Sequence, residues 1–150
     1  MTAPRAPFLL GLAGLLPFLW GALTVLAPDL GDWGARALGP RFVGPYVVLF
    51  YGAVILSFMS GVLWGFATRL DGAQATTGYA LSVLPALWAF FMTGGGVASA
   101  GLALIAGFTA ILALDWWFWR LGAAPAWWLQ MRLTLTAVTV ACLAIAVAFA

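Results

Sequence analysis

The chain contains no histidine, lysine, glutamate or asparagine, one cysteine, and charged side chains at only 7% of its 150 positions. Each absence removes a class of chemistry. Without histidine the commonest ligand of haem, copper and zinc is gone. One cysteine and four scattered aspartates build neither an iron–sulfur cluster nor a tetrahedral zinc site. No metal and no cofactor is expected. Nucleophilic catalysis needs a nucleophile beside a base, and Ser57, Ser60, Ser82 and Ser99 have neither His nor Lys anywhere in the chain to activate them. A paired-aspartate mechanism fails too, because Asp29 and Asp32 share one polar loop, Asp71 sits in another, and only Asp115 lies within an apolar run. The stretch TGGGVASAG at 93–101 lacks the Lys and Ser/Thr of a phosphate-binding loop and reads as a turn. The chain is therefore not expected to be an enzyme. Cys142 has no partner for an internal disulfide, and a net charge of +2 from Arg over Asp is no nucleic-acid footprint.

What is present is apolar length. Hydrophobic residues make up 65% of the chain, and they fall in runs of about twenty, the length a helix needs to cross roughly 30 Å of hydrocarbon. Five spans are predicted, at about residues 8–27, 46–67, 78–92, 97–119 and 128–149. The 42 residues from 78 to 119 are interrupted only by TGGG at 93–96. As one helix they would reach about 63 Å, twice the membrane, so the glycines mark a turn. A re-entrant third and fourth segment competes, because the third span is short. The runs do not alternate as membrane strands do, so backbone hydrogen bonds close within helices. The expectation is an all-α integral membrane protein, one polytopic domain over 1–150 and a bundle of about five transmembrane helices. The first span exceeds the apolar core of a cleaved leader and reads as retained.

Loop charges predict the topology. With the N-terminus inside, inner segments carry Arg5, Arg69, Arg120 and Arg132 and outer ones only Arg36 and Arg41, so the N-terminus is expected in the cytoplasm and the C-terminus outside. Losing Lys and Asn, whose codons are A/T-rich, while using much Ala, Gly, Arg and Trp points to a GC-rich genome and a bacterial cytoplasmic (inner) membrane.

Ala53, Ser57, Gly61 and Gly65 recur every four residues and form a small-residue stripe ending in G-x-x-x-G. It reads either as a partner face or as packing within the chain. Ala137, Ala141, Ala144 and Ala148 make a similar stripe in the last span, so the two could face each other. Pro17 and Pro85 should kink the first and third spans. The loop PDLGDWGARALGPRF at 28–42 can form a surface helix, with Asp32 and Arg36 at i,i+4 and Leu30, Trp33 and Ala37 on a common side. Trp116, Trp117, Trp119, Trp127 and Trp128 flank the last loop and read as an interfacial aromatic belt.

Asp115 is the one acid within a span, and an intramembrane carboxylate needs a partner or a job. Folding the chain back at the midpoint of LGAAPAW, residues 121–127, sets Asp115 level with Arg132 on the next helix. An intramembrane ion pair is expected there, with proton relay as the alternative. Arg120 is about 140° round the helix from Asp115 and should snorkel outward.

The segments YGAVILSFMSGVLWGFA (51–67) and WWLQMRLTLTAVTVACL (127–143) resemble a bacterial family of domains of unknown function whose eukaryotic relatives are called transmembrane protein 69. The matching residues are Tyr51, Gly52, Ser57, Phe58, Gly61, Trp64, Gly65, Asp115, Arg132 and Thr136, with Tyr51 and Trp64 marking the second-span motif. The resemblance implies a small polytopic protein and carries over no catalytic residue. The function expected is that of a non-enzymatic accessory, assembly or scaffold component of an inner-membrane complex. The alternative is a small transporter or a lipid- or hydrophobic-ligand-binding protein. Its partners would be membrane lipids and a membrane protein or a second copy, with no nucleic acid.

Overall fold

The computed structural model describes residues 4–149, which form helices and connecting turns with no strand among the described residues. The helices are α1 (Arg5–Ala13), α2 (Leu16–Leu26), α3 (Pro28–Leu38), α4 (Gly44–Ala67), α5 (Gly72–Ser82), α6 (Leu84–Met92), α7 (Val97–Arg120) and α8 (Trp128–Phe149). Five stretches are long and apolar enough to cross a membrane: Arg5–Leu26, Gly44–Ala67, Gly72–Met92, Val97–Arg120 and Trp128–Phe149. The third begins at Gly72, well before the apolar run does, because GAQATTG is polar in composition yet helical in structure. At 21 residues it is long enough to span.

The first and third of these stretches are each broken into two helices beside a proline. Pro17 sits in the first turn of α2 and Pro85 in the first turn of α6, where the missing N–H costs least. In hydrocarbon a freed backbone group needs a new partner. At the second break Ser60 on α4 supplies it: its Oγ accepts from the backbone N–H of Ala86 at 2.8 Å. Trp88 strengthens the attachment by donating from Nε1 to the carbonyl of Ala103 at 2.7 Å. Its ring lies over Gly107, where an added Cβ would come within 3.0 Å of it.

Helix α4 is central and packs against α2, α5, α6, α7 and α8. Its inward face repeats at three- and four-residue spacing through Val48, Gly52, Leu56, Met59, Leu63 and Ala67. The core it meets contains Phe18, Leu104, Phe108 and Leu143, all essentially fully buried. Phe18 stands edge-on to Tyr51 and Phe108, with ring centroids 5.1 and 6.1 Å apart. Lipid tails are as apolar as these side chains, so close packing and closed polar groups, more than escape from water, hold the bundle together.

The loop after α2 folds as the amphipathic helix α3, with Asp29 in its first turn and Arg36 in its last, as the helix dipole favours. It docks through Gly31 and Gly34 and leaves Trp33 and Ala37 facing outward. Asp32 and Arg36 form no salt bridge. Thr24 ties this end together: its Oγ1 accepts from the N–H of Gly44 at 2.8 Å, and Trp20 Nε1 donates to the carbonyl of Phe42 at 2.8 Å.

The tightest crossings define a test. A Cβ on Gly21 would overlap Val48 and lie 2.7 Å from Val47 Cγ1 and 3.1 Å from the carbonyl of Gly44, whereas one on Gly61 meets nothing within 4 Å. Gly21→Ala should therefore lower unfolding stability in detergent by about 1–3 kcal/mol, while Gly61→Ala changes it by less than about 0.5 kcal/mol.

Candidate functional site

The chain reverses between α7 and α8 in a turn set by Gly122, whose φ of 72° is the left-handed conformation glycine adopts freely. The N–H of Ala123 bonds back to the carbonyl of Phe118 at 3.0 Å and that of Gly122 to Trp119 at 3.0 Å, closing the end of α7 in a Schellman arrangement. Two side chains hold the turn in place. Arg69 donates from Nη1 to the carbonyl of Ala123 at 2.9 Å, and Trp119 from Nε1 to Ala126 at 3.3 Å. This reversal sets Asp115, more than a turn before the end of α7, opposite Arg132, about one turn into α8.

Asp115 is completely buried and Arg132 is 4% exposed. Arg132 Nε donates to Asp115 Oδ2 at 2.9 Å, and Trp128 Nε1 donates to Oδ1 at 2.7 Å. Both carboxylate oxygens thus have a donor, the condition under which a buried charge is tolerable. This is the one salt bridge among the described residues. The Trp128 ring stands edge-on to Phe66 at 5.1 Å, and Phe66 and Phe118 lie 6.1 Å apart, so aromatic rings surround the pair.

Satisfaction is uneven across the pair. The guanidinium engages the carboxylate through Nε alone, and its Nη2 is buried without a hydrogen-bond partner. Thr136 Oγ1, one turn further along α8, is also buried and unpartnered. The site therefore combines a closed carboxylate with an open donor.

Trp128 departs from the expected aromatic belt. It is 9% exposed and points inward at Asp115, while Trp116 and Trp119 face outward and Arg120 lies over the Trp116 ring at 5.2 Å. Its spacing of four from Arg132 puts both on one helical face toward the acid, a signal that proximity to a loop masked.

The other residues singled out by the sequence divide between inside and outside. Tyr51 is half-buried against Phe18, and Gly52 is buried, with a Cβ position 3.0 Å from Leu104 Cδ1. Ala53 is half-buried, but Ser57, Gly61 and Gly65 face outward, so packing within the chain does not account for the stripe. Nor does its counterpart on α8 face it: Ala137, Ala141, Ala144 and Ala148 are all exposed. The reason is angular, because the stripe runs one residue, about 100°, round α4 from its inward residues Gly52 and Leu56. Trp64 lies outside as well, against Tyr79 with centroids 4.8 Å apart.

Trp128→Phe keeps a ring beside Phe66 and removes only the donor to Asp115. It should lower stability in detergent by about 1–2 kcal/mol, whereas Trp116→Phe, on the outward face of α7, should change it by less than about 0.5 kcal/mol.

Comparison with known proteins places the chain. Transmembrane protein 69 of Xenopus tropicalis is 31% identical over 146 residues, with 92% of this chain and 52% of that protein covered. The chain thus spans about half the length of that relative. No solved structure matches it. Residues 3–148 match the family described as Protein of unknown function (DUF3429), and the chain belongs to that family as a multi-pass membrane protein.

Proposed function

We propose that this chain is a non-enzymatic accessory or scaffold component that docks beside a larger membrane protein through the outward small-residue face of α4. The observation that carries this reading is the open space over Gly61 and Gly65, where an added Cβ meets nothing within 4 Å. Small-residue stripes let two membrane helices approach closely. The Ser57 hydroxyl turns back to the carbonyl of Ala53 at 2.8 Å, so it does not project a free polar group from that face.

The disposition of polar groups favours docking over transport. Transporters set polar groups around a midplane cavity. Here Ser82 donates to Tyr79, Thr109 donates to Ile105, and Ser60 accepts from Ala86, so these hydroxyls are bound to backbone. A hydrophobic-ligand-binding role is the second reading, favoured by the cleft described below. The setting we propose is a bacterial inner membrane with the N-terminus in the cytoplasm. Arg5, Arg69 and Arg120 lie toward the N-terminal side and Arg36 and Arg41 toward the other, whereas Arg132, buried with Asp115, no longer counts as a loop charge.

The test is purification from the native membrane in mild detergent. The parent should carry a membrane protein in stoichiometric amount, and the Gly61→Leu/Gly65→Leu variant should lose it roughly tenfold or more with its own melting transition unchanged. A parent recovered alone, or a variant that keeps the same partner, would contradict the docking reading.

A further inference from the structure

The break between α1 and α2 opens a cleft. α2 packs on both α4 and α8, whereas α1 leans lightly on α8, where Gly11 sits against Leu135. The space left between α1, α4 and α8 has a volume of about 400 Å³, within the roughly 300–1,000 Å³ of small-molecule sites. Its walls are apolar except at a few positions, of which Arg132 is one. Leu10 and Phe58, both lining it, are 73% and 64% exposed, so it opens sideways toward lipid. A larger hollow of about 860 Å³ between α2 and α3 has no charged side chain in its lining, where the polar side-chain atoms are the indole N–H groups of Trp20, bonded to Phe42, and of Trp33.

Length, depth and charge specify the occupant. α4 lines the cleft from Tyr51 to Val62, about 16 Å at 1.5 Å per residue, and one leaflet of hydrocarbon is about 15 Å deep. Arg132 lies four residues into α8, about 6 Å from its start, near the boundary between headgroups and acyl chains. Its Nη2 is a buried donor without a partner. Because Asp115 neutralises the guanidinium, the site suits an uncharged acceptor oxygen better than an anion.

We infer that the cleft holds one acyl chain of a glycerophospholipid, with its ester carbonyl oxygen accepting a hydrogen bond from the guanidinium of Arg132, which lines the cleft and is bonded to Asp115 through Nε alone. The chain fills the apolar wall toward Tyr51, and the headgroup stays at the interface. The role is independent of the α4 stripe, which lies outside the cleft.

The experiment places the protein in nanodiscs of phosphatidylethanolamine and phosphatidylglycerol, extracts it into mild detergent, and counts retained lipids by native mass spectrometry. Ester-linked lipids should leave one molecule bound. Dialkyl ether analogues with the same headgroups, which lack only the carbonyl, should be retained roughly three- to tenfold less. Leu10→Trp, which fills the mouth from an exposed position, should lose the ester lipid while melting like the parent, and Gly61→Leu should keep it. Equal retention of ester and ether lipids overturns the inference. So does full retention by Leu10→Trp, or preferential retention of palmitic acid doped into the same discs.

Discussion

A carboxylate removed from water must be met by donors, and in this chain Asp115 is met by two, Arg132 and Trp128, both on the following helix. Because those donors lie one turn apart on α8, the acid fixes the rotation and depth of α8 against α7. The turn that makes this possible is closed by its own backbone and tied down by Arg69, so the hairpin and the pair specify each other. A buried ion pair of this kind is a stronger constraint on geometry than a source of stability, since most of its attraction offsets the cost of leaving water.

The same constraint organises the rest of the bundle. With the α7–α8 hairpin set, α4 packs across both helices, and its Ser60 takes up the backbone donor at the break in the third stretch. The break in the first stretch is handled differently. Its N-terminal half keeps only a light contact with α8 and leaves a space beside α4, and Arg132 lines that space. A structural pair and a ligand-facing group are therefore one residue seen from two sides.

Much of this was legible in the residues. The apolar runs mark five helices, and the level placement of Asp115 and Arg132 follows from the length of LGAAPAW. Pro17 and Pro85 mark the two breaks. What composition could not reveal was direction. The spacing of Ala53, Ser57, Gly61 and Gly65 is plain, but whether a small stripe turns in or out depends on which neighbouring helices α4 meets, and those contacts select the face through Gly52 and Leu56. Trp128 misleads for a related reason, since a tryptophan near a loop is ordinarily interfacial and only the tertiary position of Asp115 draws it inward. Gly72–Ser82 is helical despite its threonines and glutamine because helix length follows packing, whereas an apolar count stops at polarity. Pro17 marks the break beside which the cleft opens, but the cleft's size and lining depend on the contacts that α1 and α2 make with α4 and α8.

Asp115 and Arg132 act as one buried unit, which a double-mutant cycle in detergent distinguishes from two independent contributions. Asp115→Asn and Arg132→Met should each cost about 3–5 kcal/mol by leaving a polar partner stranded, while the double variant should cost clearly less than their sum. Losses that add to within about 0.5 kcal/mol would mean that the two residues contribute independently and that their pairing does not set the hairpin.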